Sequence, residues 1–229
     1  MINPSCWLEH IVINSTTGLD PSGVRVRPAS GIRCACSCSA GAKCASSVSS
    51  VSRVPRASAA DYLMYIGSLW GPLIESLSDL GYDERSIDLA AYDWRLSMAA
   101  LQERDRYFSR LAASIEILSA TNQEPRVVVV SHSFGANVWT YFMQWARAPA
   151  PHGGGKDDAW FDEHIFSWIN VAGPLLGVPK SLATLLSGEM KDTADLPPLM
   201  QLLLNKFIKP RERMKMFRSF RSVAGASRR

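Results

Sequence analysis

The stretch Val127-Val128-Val129-Val130-Ser131-His132-Ser133-Phe134-Gly135 decides how this chain is read. Four successive valines suit a β-strand buried on both faces. A helical pattern, Ala136 to Trp145, follows at once. Between them, S-H-S-F-G has the form of a nucleophile elbow, normally G-x-S-x-G. A serine on such a strand-to-helix turn is strained, and its hydroxyl stands above the sheet. The residues two before and two after it must be small, because strand and helix crowd there. Gly135 satisfies this, and Ser131 replaces the usual glycine with the next small residue. The helix dipole and free N–H groups at the turn favour a developing oxyanion. Ser133 is therefore the candidate nucleophile, and the backbone N–H of Phe134 one oxyanion donor. The bland alternative is a serine in an ordinary tight turn.

A nucleophilic serine needs a histidine base and an orienting acid. In elbow-bearing folds they follow in the order Ser, Asp/Glu, His. Only His152 and His164 lie downstream. His152 falls in the Pro/Gly-rich loop 149–156, and His164 precedes the next strand, at the end of the sheet away from the site. Both read as surface or structural residues. His132 is directed away from its neighbour Ser133, and His10 comes before the sheet. The acid and histidine are expected beyond Arg229.

Working outward, the chain reads as helix around Trp70–Leu80, stopped by Gly81, then strand at Ile87–Tyr92 and one long helix at Met98–Ala120. The elbow strand follows, then a strand at Phe166–Val171 and helices near Ser181–Leu186 and Leu199–Phe207. Upstream, Gly18–Gly23 is a turn cluster and Val24–Arg27 alternates like a short strand. Alternating α and β elements predict an α/β fold, a mostly parallel sheet with helices on both faces. Tyr92-Asp93-Trp94-Arg95 closes a predicted strand, where ligand-contacting residues of open α/β sheets collect. These four are candidate substrate-binding residues. The alternative has Trp94 packed in the core and Asp93 paired with Arg95. The apolar loop Asn170–Gly177 could line an acyl pocket or simply pack.

At 229 residues and 47% apolar content, with mean hydropathy −0.02, the chain has enough material for a core. No apolar run is long enough to span a membrane, and no secretory signal is visible. Residues 33–58 lack Leu, aromatic residues and acids and show no periodicity, so they read as a disordered insertion between residues 1–32 and 59–229. Cys34, Cys36, Cys38 and Cys44 fall in this insertion without a zinc spacing, and with Cys6 the count is odd. From Lys206 onward there are nine Lys/Arg and one acid, Glu212. Such an end suits a solvated helix face or anionic headgroups. No motif supports nucleic-acid binding.

Several stretches together resemble the lecithin:cholesterol acyltransferase family, in its phospholipid:diacylglycerol branch. They are Cys6–His10, Thr17–Pro21, Val24–Arg27, Ala60–Tyr62, Ala91–Ser97, Arg104–Phe108, Ser131–Gly135, Ala172–Lys180 and Leu186–Ala194. The resemblance implies an α/β-hydrolase fold, incomplete on this chain, with the second oxyanion donor before residue 1. It also implies a serine-dependent O-acyltransferase with Ser133 as nucleophile. The acyl donor is a phospholipid and the acceptor diacylglycerol or a sterol, met at a membrane surface. No cofactor, metal or nucleic acid is implied. Family members are associated with the endoplasmic reticulum membrane. The other readings are a lipase or phospholipase of the same fold, or a catalytically incomplete lipid-binding fragment. The chain by itself is expected to be inactive. Against relatives, residues 33–58 resemble a retained intron.

Overall fold

Strand β1, Val127–His132, pairs in parallel with β2, Ile165–Val171. The register runs from Val127 opposite Ile165 to His132 opposite Val171, with one irregularity after Val127. The strands therefore end in step. These observations come from a computed structural model that describes residues 11–26, 70–83, 85–122, 126–188 and 195–222. The expected insertion 33–58 and all five cysteines lie outside the described residues.

The chain forms two compact units. The first comprises residues 1–27, 92–113 and 126–229, and the second residues 28–91 and 114–125. The second unit holds helix α1, Gly71–Asp79, and the end of a later helix, with Ile74 and Ile115 buried. Pro72 suits the first turn of α1, where an N–H has no partner anyway. Gly81, at φ 96°, turns the chain out of that helix.

Residues 87–92, expected as a strand, are not one. A strand exists through its ladder, and the ladder formed among the described residues is that of β1 with β2. The Ala91 N–H is instead bonded locally to Leu89 O at 2.9 Å. Val24–Val26 is likewise not a strand.

The expected long helix is two: α2, Met98–Asp105, and α3, Tyr107–Thr121. Ser97 caps α2 by accepting from Ala100 N. Arg106 breaks the run in the left-handed region, φ 53°. The Gln102 side chain then accepts from Phe108 N at 3.0 Å and Ser109 N at 3.2 Å, which satisfies two of the orphan donors of α3.

In the first unit, β1 leads into α4, Phe134–Arg147, then α5, Asp158–His164, and β2. Helices α6, Pro179–Ser187, α7, Pro198–Phe207, and α8, Pro210–Ser219, follow. Each carries Pro in its first turn. Helix α4 buries Ala136, Val138, Trp139, Phe142 and Ala146. Phe142 lies within 6.5 Å, centroid to centroid, of Trp139, Phe108, Trp160 and Phe161, so one aromatic cluster joins α3, α4 and α5.

The valine strand is less enclosed than its sequence suggests. Val128 is 46% exposed, as are Phe166, Ile169 and Val171 of β2 to similar or greater extent. Among the described residues the sheet has two strands, and burial of both faces would need helices covering each of them.

Candidate active site

Ser133 stands between β1 and α4 with φ 51° and ψ −124°. This conformation costs a non-glycine residue about 1–3 kcal/mol and persists only where its surroundings over-determine it. Here its N–H donates to Val171 O at 2.9 Å, and its carbonyl accepts from Ala136 N at 3.0 Å. Strand β2 thus holds the turn from one side and the helix from the other. Ala172, next in register after Val171, also has φ 51°. Two strained residues leave adjacent strands together.

The Ser133 hydroxyl does not cap α4, and no hydrogen bond joins it to another described residue. Phe134 N–H, the first of the helix, has no intrahelical acceptor. The candidate nucleophile and its candidate amide donor therefore share one turn at a positive helix end.

The small residues around the turn act differently from expectation. A Cβ at Gly135 would stand 3.7 Å from Ser131 Cβ and 3.9 Å from the Tyr92 hydroxyl, ordinary contact distances. The tight approach is at Gly173, where a Cβ would meet Ala136 Cβ and Asn170 Oδ1 at 2.3 Å. Gly173 N–H donates to that same Oδ1 at 2.9 Å. Ser131 is buried, and its hydroxyl accepts from Trp168 Nε1 at 2.8 Å, a contact that glycine could not make.

The segment Tyr92–Arg95 divides between two tasks. Asp93 and Arg95 face inward. Arg95 donates to Asp93 at 2.6 and 2.8 Å, to Asp20 at 3.3 Å and to Ile11 O at 2.9 Å. Arg104 joins Asp93 at 3.0 Å, Asp20 at 3.3 Å and Asp105 at 2.6 Å. Burial alone would raise the Asp93 pKa. The hydrogen bonds and charge of Arg95, then the charge of Arg104, outweigh it and hold the carboxyl below its ordinary range. Asp93 therefore does pair with Arg95, as the alternative sequence reading had it. Trp94 is 45% exposed and packs edge-on against Phe220 at 5.1 Å, so it is only partly in the core.

Tyr92 faces the elbow. Its ring lies 6.3 Å from Phe134 and 5.6 Å, edge-on, from Tyr107. Burial pushes its phenol up to about 12, so it remains a neutral donor at physiological pH. Beside Phe134 opens a pocket of about 400 Å³, lined by Leu96, Met98, Asn137, Tyr141, Leu175 and Gly177 among others. The loop after β2 thus does line a largely apolar cavity.

Two histidines lie far from the turn. His164 ends α5 at the start of β2, the opposite end of the sheet from Ser133, about 20 Å away at the rise of a strand. It packs against Trp160 at 5.0 Å. His152 follows α4, whose 14 residues also span about 20 Å.

Sequence reasoning missed Asp20 and Arg104 as partners of Asp93. A lone acid in a turn and one more arginine on a helix carry no local signal of a shared site.

The pattern of one protein family, lecithin:cholesterol acyltransferase, matches residues 1–217. The chain belongs to this family. Its relatives in the lecithin:cholesterol acyltransferase family include the phospholipid:diacylglycerol acyltransferase of Schizosaccharomyces pombe. That protein is 38% identical over 97% of this chain and 31% of its own length. Phospholipid:diacylglycerol acyltransferase 1 of Arabidopsis thaliana is 39% identical over 83% of the chain and 25% of its length. The Saccharomyces cerevisiae phospholipid:diacylglycerol acyltransferase is 35% identical over 95% and 29%. The chain thus spans under a third of these relatives. Parallel strands joined through helices agree with the α/β-hydrolase-like fold that the family implies.

Proposed function

We propose that this chain carries the nucleophile of a serine-dependent O-acyltransferase that moves an acyl group from the sn-2 position of a phospholipid to diacylglycerol. The observation that supports it best is the strained, uncapped Ser133 at an amide-rich helix start, in a chain whose relatives bear that activity in their names.

Ser133 Oγ attacks the ester carbonyl while its proton passes to a base. Phe134 N–H donates to the oxyanion. The intermediate collapses by breaking the bond to the glycerol oxygen, which takes the proton and leaves as lysophospholipid. The hydroxyl of diacylglycerol then attacks the acyl-serine, loses its proton to the base and leaves as triacylglycerol, restoring Ser133. The base and its orienting acid come from outside the described residues. Tyr92 and Trp94 contribute to the substrate side of the site, while Asp93 and Arg95 hold their backbone. The protein works at the endoplasmic reticulum membrane. Among the described residues no helix is long and apolar enough to cross a membrane.

The test is a graft. This chain replaces the matching stretch of the Schizosaccharomyces pombe relative, and label is followed from the sn-2 acyl group. Labelled triacylglycerol is expected, and Ser133→Ala should remove about 10⁴-fold or more of it. Undiminished transfer by the alanine variant would sink the assignment. Labelled free fatty acid in place of triacylglycerol would instead identify a hydrolase. A sterol acceptor is the second reading, because the Arabidopsis thaliana phospholipid–sterol O-acyltransferase is 35% identical over 54% of the chain.

A further inference from the structure

Helix α7 buries no residue, and most of its apolar side chains are exposed. Leu199, Leu202 and Phe207 are 67%, 66% and 57% exposed, and Leu203 is exposed beside them. Leu199, Leu203 and Phe207 recur every fourth residue and form one row. Its two amide side chains are tied to neighbouring segments. Gln201 Nε2 donates to Leu196 O at 3.0 Å, and Asn205 Oδ1 accepts from Arg213 Nη1 at 2.9 Å. A helix face turned to water is normally charged or polar, whereas this one carries a row of leucines and a phenylalanine.

The charge around this apolar row is mainly positive. Lys206 is the sole charged residue of α7 and lies on its exposed side, and Lys209 follows directly. Residues 195–222 hold seven Lys/Arg against two acids. An apolar row edged by cations matches a medium that is hydrocarbon below and anionic above. A second copy of the chain would set like charge against like charge.

We propose that α7 docks this protein on an anionic phospholipid bilayer. The helix lies in the interface with Leu199, Leu202, Leu203 and Phe207 among the acyl chains. Lys206 and Lys209 extend their ammonium groups to the headgroup phosphates. This rests on the reading that the substrates are bilayer lipids, and it names the surface by which the protein reaches them.

The experiment is cosedimentation of the 229-residue chain with phosphatidylcholine vesicles, with and without phosphatidylserine, in the absence of turnover. Binding is expected to be stronger with phosphatidylserine and weaker at high salt. The double change Leu203→Asp, Phe207→Asp should weaken it by about tenfold or more, with an unchanged circular dichroism spectrum because both side chains are exposed. Lys206→Glu with Lys209→Glu should remove the preference for phosphatidylserine. Ser133→Ala should bind like the parent chain. Vesicle binding unaffected by the aspartates overturns the proposal. So does a parent chain that ignores vesicles and is an oligomer dispersed by the aspartates. Retained binding with no Ser133-dependent transfer in the graft would defeat the catalytic reading and leave the docking surface standing.

Discussion

Ser133 holds a backbone conformation that glycine adopts at lower cost. Ser133→Gly should therefore stabilise the fold by about 1 kcal/mol while removing the proposed nucleophile. Thermal unfolding of the variant reads this as a midpoint a few degrees higher. An unchanged or lower midpoint would argue that the turn is not strained. The serine and its turn were legible because the elbow needs few residues, all adjacent. Ser131 was legible only as a small residue. Its bond to Trp168, 37 positions away, is a product of strand pairing. At Asp93, Asp93→Asn leaves two buried guanidiniums short of a counter-charge and should cost about 3–5 kcal/mol. Denaturant midpoints at constant slope would measure it.

Elements were easier to detect than to bound. The amphipathic patterns of α1, α4, α6 and α7 and the apolar run of β2 are local, so their places were legible. The break between α2 and α3 was not, because it depends on one left-handed residue and on Gln102 folding its side chain over the next helix start. Gln102→Ala removes that cap and should cost about 1 kcal/mol, read as a lower thermal midpoint. The expected strand at 87–92 failed for the complementary reason, since a strand is defined by a partner. The close packing of the β2 loop on α4 gives another test. Gly173→Ala must push Ala136 and Asn170 apart and should cost about 1–3 kcal/mol. In the graft it should also lower acyl transfer, because Ala136 N bonds the Ser133 carbonyl. A variant with parental stability would show that the loop yields freely.

At the scale of the molecule, the buried cluster of Asp20, Asp93, Asp105, Arg95 and Arg104 ties the N-terminal turn to the segment before α2 and to α2 itself. It also sets an acid response. The Asp93 pKa is lower folded than unfolded. Its contribution is therefore complete above the unfolded value, about 3.9, and is lost as pH falls below that through the folded value. Acid unfolding followed by circular dichroism should lose part of its steepness below about pH 4 in Asp93→Asn. An identical acid profile would remove Asp93 from the cluster's energetics.

The sequence by itself determined the α/β alternation, the strand-to-helix turn at Ser133 and the family, since all three rest on residues near one another along the chain. Only the tertiary structure decided that Asp93 and Arg95 belong to a buried ion cluster. It also decided that Gly173, rather than Gly135, marks the closest approach, and that α7 turns its leucines outward. The reason is common to all three. Periodicity shows that a helix or strand has two faces, but which face meets protein, lipid or water depends on neighbours remote in the chain.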